Sequence, residues 1–236
     1  MAEMNRLRLL MMIVAWSFIS SAQAVDLTTP AGLNPGDSFR FVFVTSGTIA
    51  GTSSDIATYN TFINQQASGT TYQGSGITWY AIGSTTSIDA RVNVGGFGTD
   101  VPVYLVTGTK VADDLTTGAG GIWSGNLLSG INRDSVGNSV VESRVWSGST
   151  EFGTKNSTFE LGSSLVRFGV SGYTDPFWIS VNRDSNTSTY RIYGMSQTLT
   201  VVPEPSTIVT GMVAAAFVSG LSIRRSFRIR RKSRQS

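Results

Sequence analysis

The sequence predicts an α+β domain, strand-rich with one main early helix, and three observations carry that expectation. Residues 54–67 place apolar side chains at helical spacing. Several other segments either alternate apolar and polar residues or run as short β-branched and aromatic stretches. Gly, Ser and Thr dominate between them while charged residues are sparse, so turns must be many. One early helix followed by many strands reads as an α+β domain or a helix-decorated sandwich, and no internal repeat points to a solenoid.

The first element is not part of the fold. Arg6 and Arg8 precede an apolar run at residues 9–19 (LLMMIVAWSFI), and small residues ending in Ala22-Gln23-Ala24 follow. That order predicts a secretory signal peptide over residues 1–24, with Val25 the first mature residue. The run is too short for a membrane anchor, which needs about 20 apolar residues.

The body spans residues 25–200. Residues 38–45 (SFRFVFVT) set Phe39, Phe41 and Phe43 on one face and Arg40, Val42 and Val44 on the other, the period of a strand with at least one buried face. In the helix, Ser53 or Ser54 can cap and Asp55 sits in the first turn. Ile56, Tyr59, Phe62 and Ile63 share a face, and Gly69 ends the element. Further strands are expected at 78–82, 101–106, 140–146, 166–170, 177–181 and 191–201.

The last element is again an address. Pro203-Glu204-Pro205 precedes an apolar segment at 208–223 (IVTGMVAAAFVSGLSI), and then Arg224, Arg225, Arg228, Arg230, Arg231, Lys232 and Arg234 follow with no acid among them. The two prolines keep the motif extended, a form that a processing enzyme can grip. A single transmembrane helix over 208–223 would leave the arginines cytoplasmic and the body outside. An ordinary tail anchor is the other reading, since tilt or bilayer thinning fits a short helix.

Charge and missing residue types narrow the chemistry. The chain is basic, with a pI of about 9.4, but its cations crowd the tail. The body holds nine basic residues (Arg40, Arg91, Lys110, Arg133, Arg144, Lys155, Arg167, Arg183 and Arg191) against thirteen acids, a net charge of −4. A nucleic-acid partner is therefore not expected, because the folded part lacks the excess of cations that phosphate binding needs. Cysteine and histidine are both absent. That removes disulfides, thiol nucleophiles, Ser-His-Asp triads and nearly all zinc, copper and haem sites. About 175 residues without a disulfide must be held by a hydrophobic core.

The tail, taken as motif, apolar segment and basic end in order, resembles the bacterial PEP-CTERM sorting signal. The resemblance implies processing by an exosortase-type enzyme at or near Pro203, Glu204 and Pro205, after export through the secretion machinery. It also implies passage through the inner membrane, with the C-terminal helix as a temporary anchor. The mature protein would then reside at the cell surface or in the extracellular matrix, in association with biofilm exopolysaccharide.

The body carries a second resemblance. The order Trp79-Tyr80-Ala81-Ile82-Gly83-Ser84, Val101-Pro102-Val103-Tyr104, Ile122-Trp123-Ser124-Gly125-Asn126-Leu127, Val145-Trp146-Ser147-Gly148-Ser149 and Phe177-Trp178-Ile179-Ser180-Val181 is similar to endostatin-like domains, members of the C-type-lectin-like fold. The similarity implies a fold and no activity. The chain lacks that fold's usual disulfide cysteines and the sugar-binding loop motifs of its calcium-dependent lectins.

Candidate ligand groups remain. Gly95-Gly96-Phe97-Gly98-Thr99-Asp100 matches the first part of a calcium-binding nonapeptide, whose glycines turn carbonyls toward the ion while the aspartate supplies a carboxylate. A single copy cannot complete a sphere shared between stacked repeats, and a glycine-rich surface loop is the plainer reading of the same residues. Asp113 and Asp114, with the more distant Asp134, Glu142 and Asp184, supply hard oxygen ligands for calcium or a glycosidase-like carboxylate pair. Nothing fixes their spacing, and solvated loop acids are the plainer reading.

Trp79, Trp123, Trp146 and Trp178, with Tyr80, Tyr104, Tyr173, Tyr190 and Tyr193, offer ring faces for sugar stacking. The tryptophans read mainly as core. Tyr173 and Tyr190 fall in polar loops, where exposure is expected, and are the expected ligand contacts. Asn156-Ser157-Thr158 and Asn186-Thr187-Ser188 match an N-glycosylation acceptor and read here as loops. The expectation is a non-catalytic, exported binding or structural module with no required cofactor; the alternative is a carboxylate-dependent polysaccharide hydrolase using Asp113 or Asp184.

Overall fold

In the computed structural model the described residues are 24–203. Residues 1–23 of the expected signal peptide, Glu204, Pro205, the 208–223 segment and the basic end lie outside them. Among the described residues no helix is long and apolar enough to cross a membrane.

The fold is α+β and strand-rich with few helices. The chain divides into two compact units. Among the described residues the larger holds 24–32 and 38–199, and the smaller holds 33–37 and 200–203. The smaller unit is tied by the Gly36 N–H donating to the Val201 carbonyl at 2.8 Å and the Val201 N–H donating to the Asp37 carbonyl at 2.9 Å.

In the larger unit the chain runs β1 (Val25–Leu27), β2 (Ser38–Val44), β3 (Ile49–Ala50), α1 (Ile56–Gln66), β4 (Thr70–Tyr72), β5 (Ser75–Gly76) and β6 (Trp79–Ala81). It continues through α2 (Ala90–Asn93), β7 (Val103–Leu105), β8 (Lys110–Ala112), β9 (Arg144–Trp146), β10 (Leu165–Val170), β11 (Asn182–Ser185) and β12 (Thr189–Ser196). β13 (Leu199–Thr200) lies across the unit boundary. A small sheet has the order β1-β4-β5, and the main sheet runs β11-β10-β9-β12-β2-β7-β8.

β12 organises the main sheet because its two halves have different partners. Its first half pairs with β3 (Thr189 opposite Ala50) and in parallel with β9 (Ile192 opposite Trp146). Its second half pairs with β2 (Tyr193 opposite Val44) and β6 (Gly194 opposite Ala81). Gly194 is required there: a Cβ would stand 2.7 Å from Phe43 and 2.8 Å from Ile63, where α1 presses on the strand.

The alternation of β2 puts its phenylalanines on one side and Val42 and Val44 on the other, and both sides are buried. Phe39 meets Tyr72 edge-on at 5.3 Å, and Phe43 meets Trp79 at 4.8 Å. Val42 and Val44 join the main core with Ile82, Trp123, Val145, Trp178 and Tyr193. An alternating strand buried on both faces is a central strand, which β2 is.

Several expected boundaries change. The helix begins one residue later than a Ser54 cap implies: Asp55 is itself the N-cap, its carboxylate accepting from the Ala57 N–H at 2.9 Å. Residues 177–181 do not form a strand. Pro176–Trp178 is a 3₁₀ turn capped by Asp175, which accepts from the Phe177 N–H at 3.0 Å, and the strand starts only at Asn182. Proline at the first helical position is pre-set for a turn and has no N–H for a ladder. The long final strand is split between β12 and β13, and of 140–146 only Arg144–Trp146 pairs.

Candidate functional site

β9, β10, β11 and β12 lie side by side, and their register decides which side chains share a face. Phe168 stands opposite both Trp146 and Asn182, Val166 opposite Asp184, Val170 opposite Arg144, and Ile192 beside Trp146. Side chains two residues apart return to the same face. Arg144, Trp146, Phe168, Asp184 and Tyr190 therefore gather on one surface.

They form a connected set. The Tyr190 ring lies on Trp146 with centroids 4.3 Å apart and meets Phe168 edge-on at 5.5 Å. The Trp146 indole N–H is held by the Ile49 carbonyl at 3.0 Å, which fixes the base of the stack. The Tyr190 hydroxyl donates to the Asp184 carboxylate and accepts from the Arg144 guanidinium at 2.6 Å. Arg144 also donates to Asp184 at 3.1 Å, and its guanidinium lies 5.0 Å from the Phe168 ring centre.

These contacts set the protonation states. The Tyr190 hydrogen bond, then the Ser185 N–H and the Arg144 charge, hold Asp184 below the usual carboxylate range. Tyr190 and Asp184 in turn raise Arg144. The result is a donor and acceptor pair of opposite charge beside a half-buried aromatic ring. An ionised Asp184 is an acceptor or base and does not carry the proton of a general acid.

Tyr190 thus differs from its expected setting: it is a strand residue whose hydroxyl is fully engaged, with its ring partly covered. Tyr173 is 37% exposed, in a turn between β10 and the 3₁₀ turn. The four tryptophans offer no stacking platform, since Trp79, Trp123, Trp146 and Trp178 are each at most 1% exposed. Tyr104 and Tyr193 are buried as well, and the Tyr193 hydroxyl donates to the Trp178 carbonyl at 3.1 Å.

The acids named as calcium candidates are spread out. In the Gly95–Asp100 loop the Gly96 carbonyl already accepts from the Thr99 N–H at 3.1 Å and hydroxyl at 2.6 Å. The buried Arg40 guanidinium packs beneath the loop, 2.9 Å from where a Gly96 Cβ would stand, so the site sits over a cation. Asp113 pairs with Lys110 at 3.1 Å. Asp114 accepts from the Thr116 N–H at 2.8 Å and closes its own turn. Asp134 likewise accepts from the N–H groups of Val136 and Asn138. Among the described residues no three acidic side chains converge on one point.

Asn156 is committed to structure. In the amide orientation that satisfies both groups, its oxygen accepts from Arg167 Nε at 3.1 Å and Nη2 at 3.2 Å. Asn186 closes the β11–β12 connection, its carbonyl accepting from the Gly51 N–H at 2.9 Å. Arg144, Phe168, Arg167 and Arg183 were not expected in any site. No local pattern singles them out, because only the register among β9, β10, β11 and β12 brings Arg144 and Phe168 beside Tyr190 and Asp184 and sets Arg167 opposite Arg183. No protein-family model matches the chain, and a search of curated proteins finds no similar sequence.

Proposed function

We propose that this chain is an exported bacterial cell-surface or extracellular-matrix protein of the PEP-CTERM kind, processed by an exosortase-type enzyme, whose body is a non-catalytic polymer-binding module. The order in the tail carries the reading: a Pro203-Glu204-Pro205 motif, an apolar segment at 208–223, then seven basic residues without an acid. The signal-peptide pattern at residues 1–24 supports export, and the mild acidity of the body argues against nucleic acid. For the body we infer a C-type-lectin-like, endostatin-like fold. Its support is the order of aromatic landmarks, whose tryptophans all lie in the core.

Binding is assigned to the face built by Arg144, Asp184 and Tyr190, where a fixed donor and acceptor flank a ring. Intact-mass measurement on protein recovered from producing cells tests the sorting. The expected product begins at Val25 and ends at or near the Pro-Glu-Pro motif, and a mature form still carrying residues 208–236 overturns the processing. Titration of the full-length chain with the producer's own extracellular polysaccharide, with calcium and then a chelator, tests the module. Saturable binding lost in Tyr190→Ala is expected, and no binding in either condition leaves a purely structural protein.

A further inference from the structure

Arg167 in β10 and Arg183 in β11 are direct partners across an antiparallel pair. Opposed side chains in such a pair have Cβ atoms about 5 Å apart, and like charges placed so are destabilising unless something offsets them. Among the described residues no acid makes an ion pair with either arginine. The ion pairs among the described residues are Lys110–Asp113 and Arg144–Asp184. Glu160, the acid of the neighbouring loop, is buried and makes no ion pair with either arginine.

Both guanidinium groups are nevertheless held in place. Asn156 takes Nε and Nη2 of Arg167, which leaves its Nη1 without a partner among the described residues. Arg183 is exposed and lies over the Phe159 ring, 4.5 Å from its centre. Asn156 and Phe159 are the two ends of one tight turn, the Phe159 N–H donating to the Asn156 carbonyl at 2.8 Å. That turn contains Thr158 at φ 74°, a conformation that a β-branched residue adopts only under strain. A strained turn therefore holds two cations that make no ion pair among the described residues, at cross-strand positions on the face of the sheet opposite to Tyr190 and Asp184.

We infer that Arg167 and Arg183, backed by Asn156 and Phe159, form an oxyanion site for the carboxylate or sulfate groups of an acidic polysaccharide. The inference rests on the polymer-binding reading and gives it a substrate class. Two planar guanidinium forks converging on one oxyanion supply parallel charge-assisted hydrogen bonds and cancel the repulsion between the opposed arginines. In a body of net charge −4 such a site selects anions locally, without a general attraction for polyanions.

The test is arginine-specific modification of the full-length chain in detergent with phenylglyoxal, mapped by peptide mass, in the presence of polygalacturonate, dextran sulfate or neutral dextran. One of the two polyanions is expected to slow modification of Arg183 and Arg167 at least about fivefold while Arg91 reacts unchanged, and the one that protects identifies carboxylate or sulfate. The double variant Arg167→Gln/Arg183→Gln is expected to bind that polymer at least about tenfold more weakly. Without polymer it should unfold at no lower temperature than the parent, because the like-charge pair is gone.

Equal reactivity of Arg183 with and without both polyanions overturns the site. That holds even if the polymers bind, since binding through the basic tail leaves Arg183 unprotected. If a neutral polymer binds and only Tyr190→Ala abolishes it, the site falls and the polymer-binding reading stands. If no polymer binds at all, both fall.

Discussion

The Tyr190 hydroxyl stands between a cation and an anion, and Asp184 titrates low because of it. A carboxylate with a lowered folded pKa adds stability above its ordinary value of about 4, and that stability is lost as the pH falls through the lowered value. Tyr190→Phe removes the largest cause, so the Asp184 carboxyl should titrate closer to the ordinary range in a carbon-detected NMR titration. An unchanged value would show that Ser185 and Arg144 suffice. Arg40 is the opposite case, a guanidinium pulled below its usual pKa by burial, with carbonyl partners and no acid. Arg40→Ala leaves the Val94 and Ser196 carbonyls without this donor and opens space under Gly96, and should cost about 3 kcal/mol in urea unfolding. At this scale the sequence identified Tyr190 and Asp184 separately. Their contact was not legible, since six residues of separation in a chain predict no shared face until the β11–β12 turn is known.

β2 and α1 were legible as elements because each is long enough to repeat its period: seven residues of strict alternation, and eleven residues with Tyr59 and Ile63 one turn apart. Strands of two to four residues such as β3, β5, β8 and β11 have no period to read, and pairing alone makes them strands. The expected strand at 177–181 failed for a local reason that was visible, Asp175-Pro176 being a helix-start signal. The resulting turn has a consequence for β10. Gly169 lies against the Trp178 carbonyl, 2.1 Å from where a Cβ would stand, and backbone is the obstacle. Gly169→Ala must push the 3₁₀ turn off the strand, at a cost of about 3 kcal/mol. Chemical unfolding followed by tryptophan fluorescence checks it, with Trp178 itself as a reporter.

The whole molecule has neither histidine nor cysteine, so few groups change charge near neutrality. Its buried phenols act at the alkaline end: burial pushes Tyr59 up to about 12, and Tyr193 is raised further in the same direction. A phenol with a raised folded pKa contributes fully below its unfolded value, and that contribution is lost as the pH rises from about 10 toward the folded value. Stability measured by urea unfolding should therefore be flat from about pH 5 to pH 9 and fall above about pH 10. A marked slope near pH 7 would contradict this, and reducing agents should have no effect at any pH. The sequence by itself determined the α+β class, the two legible elements, the separation of a basic tail from an acidic body and the chemistry excluded by two missing residue types. Composition and local periodicity suffice for these, because each is a property of neighbours along the chain. Only the tertiary structure decided that Arg40 lies under the glycine loop, that Tyr190 joins Arg144 and Asp184, and that Arg167 faces Arg183. Those follow from register between short strands far apart in sequence, where a shift of one residue would turn every side chain to the other face.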